Sequence, residues 1–117
     1  MKVLDMYYYP RGGDGPLRLL FERVSLEDIV SSDSPSENGY YWAHEGRLLG
    51  VEFESIKDSG DHKVMEIPEF DVSVSVKVTK TGVSIDIGSL SKKTVQAFVW
   101  VRPFKFASRG ASYAALV

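Results

Sequence analysis

The chain has 117 residues, a length typical of one domain, and we predict a single β-rich domain over residues 1–117. Its 44% hydrophobic and 26% charged residues are typical of a globular protein and exclude a largely disordered chain. No apolar run is long enough to cross a bilayer, and the N-terminus lacks the apolar stretch of a signal peptide. We therefore expect a cytoplasmic protein with no membrane partner.

The net charge of −2 is unevenly distributed along the chain. Residues 1–58 carry six Lys and Arg against eleven Asp and Glu, whereas residues 59–117 carry eight against five. Oppositely charged halves attract each other, within one fold or between subunits. The absence of cysteine excludes disulfides and thiolate metal sites. The single Asn and single Gln are typical of proteins from hot environments.

The first predicted hairpin joins residues 3–9 to residues 17–21. Strand-forming residues fill the first segment up to Pro10, and a glycine-rich turn precedes the second. The following stretch, residues 25–34, has partly helical spacing, but it could equally be an irregular excursion ending in a turn at residues 34–39. Both interpretations stay open.

A second hairpin is predicted from residues 40–44 and 48–53, which flank a short turn containing Gly46. Glycine suits this turn because it adopts positive φ without steric cost.

The clearest pattern in the chain is strict alternation of apolar and polar residues over residues 70–78 and 83–87. A period of two is typical of strands with one buried and one solvated face. Residues 94–101 predict one more strand, which ends before Pro103. About seven strands, with at most one or two short helices, predict an all-β or β-rich α+β fold. We expect an antiparallel sandwich or a rolled sheet.

Three segments of the first half follow a recognisable pattern: Tyr8-Tyr9-Pro10-Arg11, Asp14 with Leu17-Arg18-Leu19-Leu20-Phe21, and Glu45-Gly46-Arg47-Leu48-Leu49-Gly50-Val51-Glu52-Phe53. Over residues 7–57 the chain resembles a small family of uncharacterised bacterial and archaeal proteins, known only as a domain of unknown function. Tyr9 stands where that family has an aspartate, and the glycine-rich turn is longer. The resemblance implies an antiparallel β-meander and assigns no activity.

The histidines and acidic residues of the hairpins are candidates for a metal site or for catalysis. His44, Glu52 and His62 could offer two imidazoles and a carboxylate to a metal, although their spacing matches no ligand motif. Asp14 and Glu52 could form a general acid–base pair. Alternatively, Asp14 stabilises its own turn and Glu52 points outward from its strand. Because no nucleophile or phosphate-binding motif accompanies them, we do not favour an enzyme and predict no cofactor.

The C-terminal segment interleaves aromatic and basic residues without any acid nearby. Its candidate nucleic-acid-binding residues are Trp100, Arg102, Lys105 and Arg109. Bases could stack on the rings while the cations contact the phosphates of a single strand. The acidic overall charge argues against this. We favour the alternative, in which the aromatic residues lie in the core or in a subunit interface and the cations pair with the acidic half.

Aromatic residues are also concentrated in the first half: Tyr7, Tyr8, Tyr9, Tyr40, Tyr41 and Trp42. Strand alternation splits both groups, so some of these rings must lie on a second sheet face. That face is covered either by the fold itself or by another chain. Because aromatic residues are enriched at interfaces, we predict a binding or assembly module that forms a homo-oligomer.

Overall fold

The computed structural model describes residues 3–8, 14–23 and 33–92 and, as strand backbone, residues 95–101 and 112–113. These residues contain ten strands: β1 (Asp5–Tyr8), β2 (Asp14–Leu20), β3 (Asp33–Ser36), β4 (Gly39–His44), β5 (Arg47–Lys57), β6 (Asp61–Ile67), β7 (Val72–Thr79), β8 (Gly82–Ser89), β9 (Val95–Val101) and β10 (Ser112–Tyr113). A 3₁₀ turn, Pro68–Phe70, joins β6 to β7, and the described residues contain no α-helix.

The strands form two antiparallel sheets, so the predicted all-β, sandwich-like fold is confirmed. One sheet has six strands in the order β10-β1-β2-β5-β4-β3, and the other has four in the order β6-β7-β8-β9. The three hairpins predicted from the sequence, β1–β2, β4–β5 and β7–β8, are all present. Two pairings join strands that are distant in the chain: β2–β5, which places the two N-terminal hairpins side by side, and β1–β10 at the edge of the sheet.

The alternating apolar residues of β7 and β8 face the core, as the sequence predicts. The apolar residues of both strands are buried at the interface between the sheets: Val72, Val74, Val76, Val78, Val83, Ile85 and Ile87. Each fully buried side chain of this size contributes about 1.5–3 kcal/mol. The six-stranded sheet contributes the opposite wall of the same core, with Met6, Tyr8, Leu17, Leu19, Val51, Phe53 and Ile56.

Three described strands, β3, β6 and β10, bring the number above the seven expected. Strand β6 lacks a clear pattern because Lys63, on the core side of the strand, is polar, whereas Val64 points outward and is 37% exposed. Lys63 is accommodated because its ammonium group donates a hydrogen bond to the Ser55 carbonyl of β5. Strand β3 lies where a turn was expected, and Pro35 is tolerated there because β3 is an edge strand.

Two strand boundaries also differ from the sequence prediction. Strand β2 begins at Asp14 and not at Leu17, because a register shift between Gly15 and Leu17 accommodates Pro16 within the strand. Phe70, predicted to open β7, lies in the 3₁₀ turn instead. Most of the ambiguous stretch, namely residues 25–32, lies outside the described residues.

Tyr8 places a polar hydroxyl group within this core. The protonation of this hydroxyl makes the stability of the fold depend on pH. Its ring is fully buried, and its hydroxyl donates a hydrogen bond to the Ile56 carbonyl at 2.7 Å. Burial, reinforced by the negative charges of Asp58, Asp14 and Asp61, raises the pKa of Tyr8 from 10.0 to about 12. The folded state therefore favours the neutral phenol.

We expect Tyr8→Phe to lower the free energy of unfolding by about 1–3 kcal/mol near neutral pH, because the Ile56 carbonyl loses its buried donor. The raised pKa contributes stability that is complete below pH 10 and is lost as pH rises to about 12. The difference between wild type and Tyr8→Phe should therefore shrink over this interval. Urea unfolding of both proteins across the same pH range measures this difference in free energy. A difference that does not depend on pH would contradict the raised pKa of Tyr8.

Candidate functional site

The outer face of the six-stranded sheet carries a row of aromatic and charged residues. Tyr7 of β1 lies opposite Arg18 of β2, Arg18 opposite Glu52 of β5, and Glu52 opposite Tyr40 of β4. Directly opposed residues of antiparallel strands point to the same face, with their Cβ atoms close together. The pairing therefore assembles four side chains from four strands into one continuous row.

Arg18 is the centre of this row. Its Nε and Nη2 groups donate hydrogen bonds to the same Glu52 oxygen at 3.1 and 3.0 Å. Its guanidinium carbon also lies 5.9 Å from the centre of the Tyr7 ring and 5.4 Å from that of Trp42, within cation–π range. The side chains of Arg18 and Glu52 keep 30% and 20% of their surface exposed, so the ion pair is accessible to a partner.

Gly50 determines where the Trp42 ring lies. The two residues are directly opposed in the sheet, and a Cβ atom on Gly50 would lie 3.1 Å from a ring carbon of Trp42. Without that atom, the indole packs beside Leu20 and Leu49 and is only 3% exposed. The outer face thus has a small apolar cluster of its own, with Arg18 above its indole ring.

A cleft of about 380 Å³ lies at the end of this face where the chain enters β1 and leaves β2. The described residues that line it are Leu4, Asp5, Tyr7, Leu20, Glu22 and Arg23. Glu22 is already paired with Arg47, at 2.8 Å. Partial burial raises the pKa of Asp5, although the Met6 backbone amide donates a hydrogen bond to its carboxylate at 3.0 Å.

The candidate metal ligands do not form a cluster. The Nε2 atom of His44 lies 3.6 Å from the Oε1 atom of Glu45 at the β4–β5 turn. Glu52 instead accepts hydrogen bonds from Arg18. The imidazole of His62, on the other sheet, is 2.6 Å from the Ser75 hydroxyl. Within residues 3–8, 14–23 and 33–92, no three His, Asp or Glu side chains are arranged to hold a metal ion.

Asp14 and Glu52, the candidate acid–base pair, each have a different partner. The Ser55 hydroxyl donates a hydrogen bond to the Asp14 carboxylate, which joins β2 to β5 across the sheet. Asp14 therefore bonds to a neighbouring strand, whereas the sequence suggested a bond within its own turn. Glu52 lies on the outer face, as the alternation of β5 predicts, and is paired with Arg18.

The described aromatic residues of the first half are divided between the two faces as predicted, whereas Tyr9 lies outside the described residues. Tyr8 is buried in the core, and Tyr41 packs against the core and donates a hydrogen bond to Glu69 at 2.9 Å. Tyr7 and Trp42 contact Arg18 on the outer face. The alternation could have identified this face from the sequence, but it could not show that Arg18 lies beside both rings.

The candidate nucleic-acid-binding residues lie outside the part of the chain whose side chains are described. The backbone of Trp100 pairs with that of Val83 in the β8–β9 ladder. Arg102, Lys105 and Arg109 are not among the described residues, so nucleic-acid binding through them stays a prediction.

Comparison with known proteins identifies no relative of this chain, so a functional assignment must be based on the geometry of the site. No family model, no curated protein and no solved structure matches the chain. The resemblance of residues 7–57 to a domain of unknown function therefore stays a prediction. In the described part of the chain, no helix has the length and apolar character needed to span a membrane.

Proposed function

We propose that this protein is a binding and assembly module that self-associates through the outer face of its six-stranded sheet. The observation that carries the proposal is the row Tyr7, Arg18, Glu52 and Tyr40, which spans four adjacent strands. Tyrosine, tryptophan and arginine are the residues most enriched at the energetic centres of protein interfaces. All three types meet around Arg18.

The charges of this face favour a second copy of the chain as the partner. A two-fold interface brings the same patch of both subunits together, so each charge must meet its opposite on the same patch. Arg18 and Glu52 provide one cation and one anion at neighbouring positions of the row. Their remaining exposed surface lets each pair across the axis with its counterpart on the second copy, while the flanking Tyr7 and Tyr40 rings pack around them.

Two sheet edges support association through the face and not through strand edges. Strand β3 has four residues and contains Pro35, which cannot donate to an added strand. On β6, the Val64 carbonyl already accepts a hydrogen bond from the Asn38 side chain at 2.6 Å. Both features hinder the addition of a strand at these two edges, which favours the outer face of the six-stranded sheet as the surface for a second copy.

Sedimentation equilibrium over a wide concentration range tests the proposal. Wild type is expected to be dimeric or larger at high concentration, and Tyr7→Ser/Tyr40→Ser should raise the dissociation constant more than about tenfold because both aromatic flanks are removed. Val64→Ser is the matched control, since it removes an exposed apolar side chain from the other sheet. Circular dichroism establishes that each variant retains its strands.

A wild type that is monomeric at every concentration would overturn the proposal. Equal weakening by the double variant and by Val64→Ser would also contradict it, because the effect would then be independent of the face. The proposal includes the cytoplasmic location predicted from the sequence, and fractionation of the source cells with an antibody to the chain tests that part separately.

A further inference from the structure

The cleft at the β1–β2 end of the outer face is a second feature of this surface, and the aromatic row does not account for it. Its volume of about 380 Å³ lies within the range of small-molecule sites, about 300–1,000 Å³. Tyr7 and Leu20, which line it, are half-buried, whereas Leu4 at its rim is 44% exposed. An apolar group of a few carbon atoms could contact all three side chains.

The cleft also contains one negative and one positive group that have no ion-pair partner among the described residues. Asp5 is half-buried, and its carboxylate is oriented by hydrogen bonds with the Met6 amide and the Tyr7 side chain. Arg23 lies in the same lining and is exposed. Glu22, the third charged residue, is neutralised by Arg47. Among the described residues that line the cleft, the charges still available for a ligand are therefore one carboxylate and one guanidinium.

We propose that this cleft binds a small zwitterion with an apolar side chain, a free α-amino acid of about the size of leucine. Its ammonium group pairs with Asp5, its carboxylate with Arg23, and its alkyl chain packs against Leu4, Leu20 and Tyr7. A ligand with a single charge would leave one of the two protein charges unpaired. The zwitterion is the ligand that satisfies both groups, because it forms one charge-assisted contact with each of them.

Three probes of matched shape test this assignment on the full chain: L-leucine, isopentylamine and isocaproate. The amine is leucine without its carboxylate, and isocaproate is leucine without its ammonium group. Titration calorimetry and two-dimensional amide NMR measure binding of each probe at millimolar concentrations. We expect leucine to bind at least about tenfold more tightly than either analogue, because each analogue loses one charge-assisted contact.

Two isosteric or near-isosteric variants identify the groups involved. Asp5→Asn should weaken leucine and isopentylamine about tenfold and leave isocaproate unchanged, whereas Arg23→Gln should weaken leucine and isocaproate and leave isopentylamine unchanged. The matched controls are Asp86→Asn and Lys77→Gln, which change exposed charges on the outer face of the other sheet. Both controls should bind leucine like wild type.

Absence of leucine binding, equal affinity for the three probes, or equal losses in the variants and their controls would each overturn the assignment. The cleft and the aromatic row share Tyr7, so the oligomeric state is measured by sedimentation in the same samples. Leucine binding by a monomer would support the cleft and refute the assembly proposal. Self-association without leucine binding would support the assembly proposal and refute the assignment of the cleft.

Discussion

Replacing Gly39 with alanine is expected to lower the free energy of unfolding by about 3 kcal/mol or more. Its new Cβ atom would overlap the carbonyl oxygen of Glu52 and lie 2.9 Å from that carbonyl carbon and 3.2 Å from the Glu54 nitrogen. All of these atoms belong to the backbone of β5, so no side chain can rotate away. The clash is relieved only by separating β4 from β5, which also breaks the hydrogen bond from the Glu54 amide to the Asn38 carbonyl.

Gly46→Ala is the matched control for this prediction. Gly46 has a φ of +76°, so alanine is strained there, but no atom lies within 4 Å of the added Cβ. Its cost should be only that of the left-handed backbone conformation, roughly 1–2 kcal/mol. Urea unfolding monitored by circular dichroism measures both variants. Equal stability losses for Gly39→Ala and Gly46→Ala would contradict the claim that the β5 backbone leaves no space for a Cβ atom at Gly39.

Gly50→Ala is expected to destabilise the fold by about 2–3 kcal/mol and also to displace the Trp42 ring. The added Cβ atom would lie 2.6 Å from the Leu19 carbonyl oxygen and 3.1 Å from atoms of both Leu20 and Trp42. The ring can move outward, but the carbonyl oxygen belongs to the β2 backbone and can shift only with the strand. The substitution therefore affects both the sheet and the aromatic surface above it.

Two measurements separate these effects of Gly50→Ala. Urea unfolding reports the loss of stability, and tryptophan emission reports the displacement of Trp42, which is only 3% exposed in the wild type. We expect emission at longer wavelength in the folded variant, and Trp42→Phe identifies the part of the signal that belongs to this ring. Wild-type emission together with wild-type stability would contradict the packing of Trp42 over Gly50.

The sequence predicts which aromatic residues lie on the candidate surface, but not how the strands that carry them are arranged. Alternation separates Tyr7 from Tyr8 and Tyr41 from its neighbours, and the structure confirms this division. The alternation does not state which strands are neighbours. Arg18 and Glu52 are 34 positions apart, and they meet because β2 pairs with β5 in one register.

The cleft could not be predicted from the sequence, because it too depends on which strands are neighbours. Asp5 begins β1 and Arg23 follows the end of β2, and neither is part of a motif with a recognisable spacing. Their relation depends on the β1–β2 register and on where the chain leaves the sheet after Leu20. Conversely, the histidines were candidates because of their chemistry alone, and the fold places His44 and His62 in different sheets.

The sequence by itself determined the strands of the three predicted hairpins and their buried faces, because a period of two in hydrophobicity is satisfied by a pleated strand with one dry side. Val72–Val78 and Val83–Ile87 illustrate this directly. Only the tertiary structure decided the partners of each strand, the start of β2 at Asp14 and the strand at Asp61–Ile67. These features depend on hydrogen bonds and packing between residues far apart in the chain, for which local patterning carries no information.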